Sequence, residues 1–120
     1  MNNSKAHQQL VDELLLAFGS KPYIRVRTRK VGVAIPLNSN HPIQFGIVGE
    51  TDIDGLVAPW GFYLAIEVKT GSGKLNKYQI IYRDMVIKFG GIYIEARSVD
   101  QAWYEFLNQL NKKVIECKNY

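Results

Sequence analysis

The sequence predicts an α/β fold with a mixed sheet, and three observations carry that expectation. Apolar residues recur at helical spacing near the start of the chain. Short segments rich in β-branched residues fill its middle. Its last part alternates helical and strand-like patterns, so the order reads helix, several strands, helix, strand, helix.

Leu10, Val11, Leu14, Leu15 and Phe18 recur at helical spacing, and Gly19-Ser20-Lys21-Pro22 supplies stop and turn residues, which predicts a helix from about residue 5 to 18. From Tyr23 to Ile35, Arg25, Arg27 and Arg29 alternate with Ile24, Val26 and Thr28, as in one strand or hairpin arm with a basic face. Pro36 to Pro42 reads as a loop, Ile43 to Val48 and Asp52 to Val57 as extended segments, and Pro59-Trp60-Gly61 as a turn into a strand from Phe62 to Lys69. After Gly71-Ser72-Gly73, the spacing of Tyr78, Ile81, Tyr82, Met85 and Phe89 predicts an amphipathic helix stopped by Gly90-Gly91. Ile92 to Ala96 is a short apolar strand. Ser98-Val99-Asp100-Gln101 is a capping box, opening a helix that turns Val99, Ala102, Trp103, Phe106, Leu107 and Leu110 inward. Lys112 to Tyr120 reads as a strand or a tail.

At 120 residues and 47% hydrophobic content, one domain spanning 1–120 can bury an adequate core. The net charge of +4 and the pI near 9.2 favour an anionic partner such as nucleic acid. A lone cysteine, Cys117, excludes an internal disulfide and any multi-cysteine zinc site, which suits a reducing, cytoplasmic setting. No apolar run approaches the roughly 20 residues that span a bilayer, and the N-terminus lacks the apolar segment of a secretory signal, so neither a membrane nor export is expected.

The chemistry concentrates in Gly49-Glu50-Thr51-Asp52-Ile53-Asp54-Gly55 and Ile66-Glu67-Val68-Lys69. On a strand, Phe62, Leu64, Ile66 and Val68 point one way and Glu67 and Lys69 the other. Hydrolysis of a phosphodiester needs stabilisation of added negative charge and an activated water, both of which a hard divalent cation on carboxylates supplies. Asp52 and Glu67 are candidate carboxylates, the Val68 carbonyl a further oxygen ligand, and Mg²⁺, with Mn²⁺ as substitute, the expected ion. Lys69, roughly 7 Å from Glu67 between α-carbons, can orient the attacking water or offset developing charge. As a bare pattern, a solvated strand end explains Glu67 and Lys69 equally well. Asp54, two residues from Asp52, is the competing acid.

The run Gly49-x-x-Asp52-x-x-Gly55, then Ala65-Ile66-Glu67-Val68-Lys69, then Gly73-Lys74-Leu75-Asn76-x-x-Gln79 resembles the VRR-NUC family of the PD-(D/E)XK nuclease superfamily. The likeness extends through Arg29-x-Val31-Gly32, Phe45-Gly46 and Gly90-Gly91, over most of Leu10 to Leu110. It implies a restriction-endonuclease-like core with a central mixed sheet flanked by helices. It also implies that Asp52 and Glu67 bind metal, that Lys69 is the catalytic lysine, and that Gln79 completes the site. Helix capping on Asn76 explains Gln79 nearly as well. The chain departs from the family where a first-helix glutamate is usual: the stretch reads Ala6-His7-Gln8-Gln9, leaving Glu13 or His7 as substitutes. Lys30 likewise replaces a common asparagine.

Arg25, Arg27, Arg29, Lys30, Lys74 and Lys77 are candidates for phosphate contacts, a solvated basic face being the alternative. Trp60 and Tyr63 suit base stacking or packing, and Trp103 suits the core. The function the resemblance implies is a metal-dependent DNA endonuclease, acting as a homodimer on branched DNA such as Holliday junctions. The alternatives are a non-catalytic nucleic-acid- or partner-binding module with the same fold and, with no base-reading element in view, a sequence-specific cutter.

Overall fold

The computed structural model describes residues 2–28, 32–34, 43–45 and 47–118. Arg29, Lys30 and the expected loop from Pro36 to Pro42 lie outside these residues. Helix α1 (Asn2–Gly19) starts earlier than its apolar stripe suggests, and Leu10, Val11, Leu14 and Phe18 form its buried face. Strand β1 (Ile24–Thr28) follows. The segment from Tyr23 to Ile35, expected as one strand or hairpin arm, holds two strands: β2 (Gly32–Ala34) pairs with β3 (Ile43–Phe45) as a separate two-stranded antiparallel sheet.

Strands β4 (Ile53–Val57) and β5 (Phe62–Val68) form an antiparallel hairpin in which Ile53 faces Ile66 and Val57 faces Phe62. Its turn returns on Gly61, whose φ of +75° suits glycine. Helix α2 (Lys77–Lys88) then crosses over to β6 (Ile92–Ala96), parallel to β5. Helix α3 (Val99–Lys118) closes the chain. The main sheet has the order β1-β4-β5-β6, antiparallel except for the last pair, so the protein is α/β with a four-stranded mixed sheet flanked by helices.

Strand alternation sorts the side chains onto two faces. Ile24, Ile53, Val57, Leu64, Ile66, Val68, Ile92, Ile94 and Ala96 meet α1 and α3 in the main core. Phe18 is its centre, packed edge-on against Trp103 and Phe106 at 5.1 and 5.4 Å between ring centroids. The opposite face carries Ala65 and Tyr93, which pack under Tyr82 and Val86 of α2.

Three expectations are corrected here. Of the expected α2 stripe only Tyr82 is buried; Tyr78, Ile81, Met85 and Phe89 are exposed, and Val86 joins Tyr82 against the sheet. Apolar residues lie on several sides of this helix, so periodicity alone could not select the side that meets the sheet. Leu107 is also exposed, while Ala102, Phe106 and Leu110 are buried. From Lys112 to Lys118 the chain is neither a strand nor a tail, because α3 continues to Lys118; Asn119 and Tyr120 lie outside the described residues.

Strand β6 ends the sheet, and its edge is covered by a side chain. Gln109 of α3 accepts the Tyr93 N–H at 3.3 Å and donates to the Tyr93 carbonyl at 2.8 Å. An amide here supplies the donor and acceptor that a neighbouring strand would offer.

Candidate active site

Asp52 stands one residue before β4, and backbone proximity explains the glycines on either side of it. A Cβ on Gly49, whose φ is +90°, would lie 2.3 Å from the Tyr78 carbonyl oxygen, and one on Gly55 would lie 1.9 Å from that of Arg25. Gly49 therefore lets the loop before β4 rest against α2, and Gly55 lets β4 close on β1. Between them Thr51, buried, donates to the Ile53 carbonyl at 2.8 Å. Asp52 is thus held at the open end of the hairpin, where its Oδ2 accepts the Val68 N–H at 2.8 Å. The N–H and C=O of one strand residue leave the same edge, so the Val68 carbonyl faces the side on which Asp52 lies.

Glu67 points to the α2 face and is only 4% exposed. Its Oε2 accepts from Gln79 Nε2 at 2.9 Å and lies 3.6 Å from Lys69 Nζ. Its Oε1 is buried with no hydrogen-bond partner among the described residues. Burial pushes the Glu67 carboxyl up from 4.5 to about 7, the Asp52 charge adds to this, and the Lys69 ammonium opposes it. Lys69 follows the end of β5, yet its N–H still bonds the Ala96 carbonyl at 3.0 Å, so its backbone is fixed by β6.

Gln79 holds both positions that its sequence context allows. Its Oε1 accepts the Asn76 N–H at 2.9 Å, and its N–H donates to Asn76 Oδ1 at 2.9 Å, a complete capping box. The remaining amide group donates to Glu67. The cap thereby fixes the orientation of a side chain that reaches the site.

The first helix contributes His7. Its Nε2 is 3.2 Å from Asp52 Oδ2, whereas Glu13 faces a neighbouring cleft with Thr70 and Arg97. His7, Glu67, Val68, Lys69, Thr70 and Gly73 line an open cleft of about 570 Å³. The proximity of His7 to Asp52 has no local sequence signal, because it depends on how α1 crosses the sheet.

Other candidates lie elsewhere. Asp54 is buried in a separate network, accepting from Arg27 Nε at 3.1 Å and from the Tyr63 hydroxyl at 3.1 Å, with Tyr63 and Tyr82 hydroxyls 2.7 Å apart. Burial and the Tyr82 hydroxyl hold Tyr63 protonated, its titration pushed well above the usual tyrosine range. Arg25 donates to the Pro22 and Ile24 carbonyls, and Trp60 stacks on Phe62. Arg25 and Arg27 are on β1, two strands from Glu67, so the structure does not gather them at the cleft. Lys74 is in the loop leading to α2, and Lys77 lies over the Tyr78 ring.

The donor set fits a hard divalent cation. Two carboxylates, Asp52 and Glu67, the second with a buried oxygen that has no partner among the described residues, and a backbone carbonyl are donors of the kind Mg²⁺ takes, since it binds through one or two carboxylates and keeps several waters. Among the described residues no group of three or more His, Cys, Asp or Glu side chains converges. No protein-family model and no curated protein matches the chain.

Proposed function

We propose that the chain is a metal-dependent endonuclease of the PD-(D/E)XK type, with a VRR-NUC-like arrangement, that hydrolyses DNA phosphodiester bonds. The observation that carries this reading is Glu67: a buried carboxylate flanked by Lys69 and Gln79, with one oxygen lacking a partner among the described residues, beside the turn that presents Asp52. A buried polar atom left without a partner costs roughly 1–3 kcal/mol, and a cation bound at Glu67 would offset that cost.

Asp52, Glu67 and the Val68 carbonyl would hold Mg²⁺, with Mn²⁺ as substitute. The bound ion supplies charge neutralisation at the phosphate and an acidified water. Lys69, 3.6 Å from Glu67, orients the attacking water or offsets charge growing on the phosphate oxygens. Gln79 fixes the Glu67 carboxylate. Thr70, Gly73 and His7 wall the cleft in which a phosphate would sit. The net charge of +4 favours DNA as the partner. Branched DNA as substrate and action as a homodimer complete the proposal, the second supported by the exposed α2 stripe of Tyr78, Ile81, Met85 and Phe89. No described helix is long and apolar enough to cross a membrane. The single cysteine, exposed Cys117, accords with a reducing, cytoplasmic setting.

One assay of four-way junction, flap, single-stranded and linear duplex DNA with Mg²⁺ or Mn²⁺ tests the reading. Asp52→Ala or Glu67→Ala should each lower cleavage by about 10²-fold or more while leaving the circular dichroism spectrum unchanged. Undiminished cleavage in either variant rejects the assignment. The alternative, a non-catalytic nucleic-acid-binding module, is favoured by His7 standing at Asp52 where the family carries an acid. It predicts DNA binding without cleavage in both metals.

A further inference from the structure

The loop between β5 and α2 is held from behind by one side chain. Because the Lys69 N–H bonds the Ala96 carbonyl at 3.0 Å, Arg97, the residue just after β6, stands opposite the residues that follow Lys69. Its guanidinium donates to the Gly73 carbonyl at 2.6 Å, the Gly71 carbonyl at 3.4 Å and the Glu95 carboxylate at 2.6 Å. The Arg97 N–H is itself fixed by Gln101 Oε1 at 2.7 Å. Glu95 offsets the guanidinium charge, so what Arg97 imposes on the loop is chiefly orientation.

That orientation has a geometric consequence. Thr70 to Gly73 form a turn closed by the Gly73 N–H on the Thr70 carbonyl at 3.1 Å, with φ of +57° at Gly71, the first central position, as in a type II′ turn. The peptides of this loop are trans, and in a trans peptide the C=O and the following N–H point in opposite directions. With the Gly71 and Gly73 carbonyls turned to Arg97, the N–H groups of Ser72 and Lys74 point away from it. Arg97 lines the cleft behind the loop, together with Glu13, Ser98 and Asp100, and does not line the catalytic cleft, which Thr70 and Gly73 border beside Lys69. A Cβ on Gly73 would be 3.7 Å from Lys69 Cδ, so the loop passes beside the lysine stem.

We propose that residues 70–74 form a backbone cradle for a phosphate of a nucleic-acid strand, adjacent to the phosphate that Lys69 reaches, and that Arg97 is the positioning residue that sets it. Fixed backbone N–H groups favour an anion without reorganising. The Lys74 ammonium adds attraction that is independent of base sequence. Identifying the strand as substrate rests on the nuclease reading; the cradle itself rests on the loop geometry.

The test follows backbone amides in ¹H–¹⁵N spectra of the metal-free full chain, titrated with a ten-nucleotide oligothymidylate and, separately, with inorganic phosphate. The Ser72 and Lys74 amide signals should shift with the oligonucleotide and not with equal concentrations of inorganic phosphate. Arg97→Ala should remove those shifts and weaken oligonucleotide binding about tenfold, whereas Arg97→Lys should restore part of both. Spectra of the two variants outside the loop report whether each is folded. Unmoved Ser72 and Lys74 amides, or shifts that persist in Arg97→Ala, overturn the cradle. Equal shifts with inorganic phosphate overturn the strand as its ligand. Absence of Mg²⁺-dependent cleavage in the wild-type chain, with the amide shifts present, rejects the nuclease reading and leaves the cradle supported.

Discussion

Glu67 is buried where its charge is disfavoured, at the position that the proposed metal site requires. Its carboxyl is raised from 4.5 to about 7, so between those values the folded chain binds a proton that the unfolded chain has released. The associated stability is fully present below pH 4.5 and is lost as pH rises through about 7. Thermal unfolding of the metal-free protein in EDTA should therefore show stability falling from pH 5 to pH 8, by on the order of 3 kcal/mol from this group. Glu67→Gln, with nothing to titrate, should flatten that profile. A wild-type profile rising across the interval would contradict the burial of a proton-binding Glu67. Gln79 separates into two roles by substitution. Gln79→Glu keeps the acceptor for the Asn76 N–H and removes the donor to Glu67, so cleavage should fall by about 10–100-fold with the helix cap intact. Gln79→Ala loses both and should also unfold more easily by about 1 kcal/mol. Urea titrations beside cleavage rates distinguish the two outcomes.

Elements were legible in the sequence where a local rule decides them. The Ser98–Gln101 capping box forms, with Gln101 N–H to Ser98 Oγ at 3.1 Å and Ser98 N–H to Gln101 Oε1 at 3.3 Å. The hairpin from Ile53 to Val68 follows from strand alternation and a glycine turn. The buried side of α2 was legible only at Tyr82 and not at Val86, because apolar residues surround the helix and the choice belongs to the surface of β5 and β6. Likewise His7 and Arg97 carry ordinary local patterns, and their positions depend on tertiary crossings that spacing does not encode. The Gly49 and Gly55 bracket was visible as a pattern, while its cause, carbonyls too close for any Cβ, is visible only in the packed structure. Gly55→Ala should force β4 away from β1 and cost about 3 kcal/mol or more. Guanidinium unfolding measures this, and a loss under 1 kcal/mol would show that the strands can part without consequence.

At the scale of the molecule, the two faces of the sheet are unequally covered among the described residues. Helices α1 and α3 seal one side over a continuous core, while α2 alone packs on the other and turns Ile81, Met85 and Phe89 outward. A contiguous apolar surface on a helix is the expected site of self-association in the proposed dimer. Ile81→Lys combined with Phe89→Glu should lower the mass measured by light scattering from dimer to monomer with the helix content unchanged. A monomeric wild-type chain, or a dimer indifferent to both changes, would remove α2 from the interface.

The Gln109 contact on β6 bears on which assemblies are open to the chain. An exposed strand edge is a template on which a second chain, or an extended peptide, can add by main-chain pairing. At Tyr93 that template is already satisfied by an intramolecular amide that brings no strand of its own to continue. Glutamate at this position would repel the Tyr93 carbonyl, and leucine would leave both groups open, so amide chemistry is what keeps this edge from recruiting other chains. Growth of the sheet into a fibre is blocked there by one side chain, and association is directed to side-chain surfaces, where its stoichiometry can be limited.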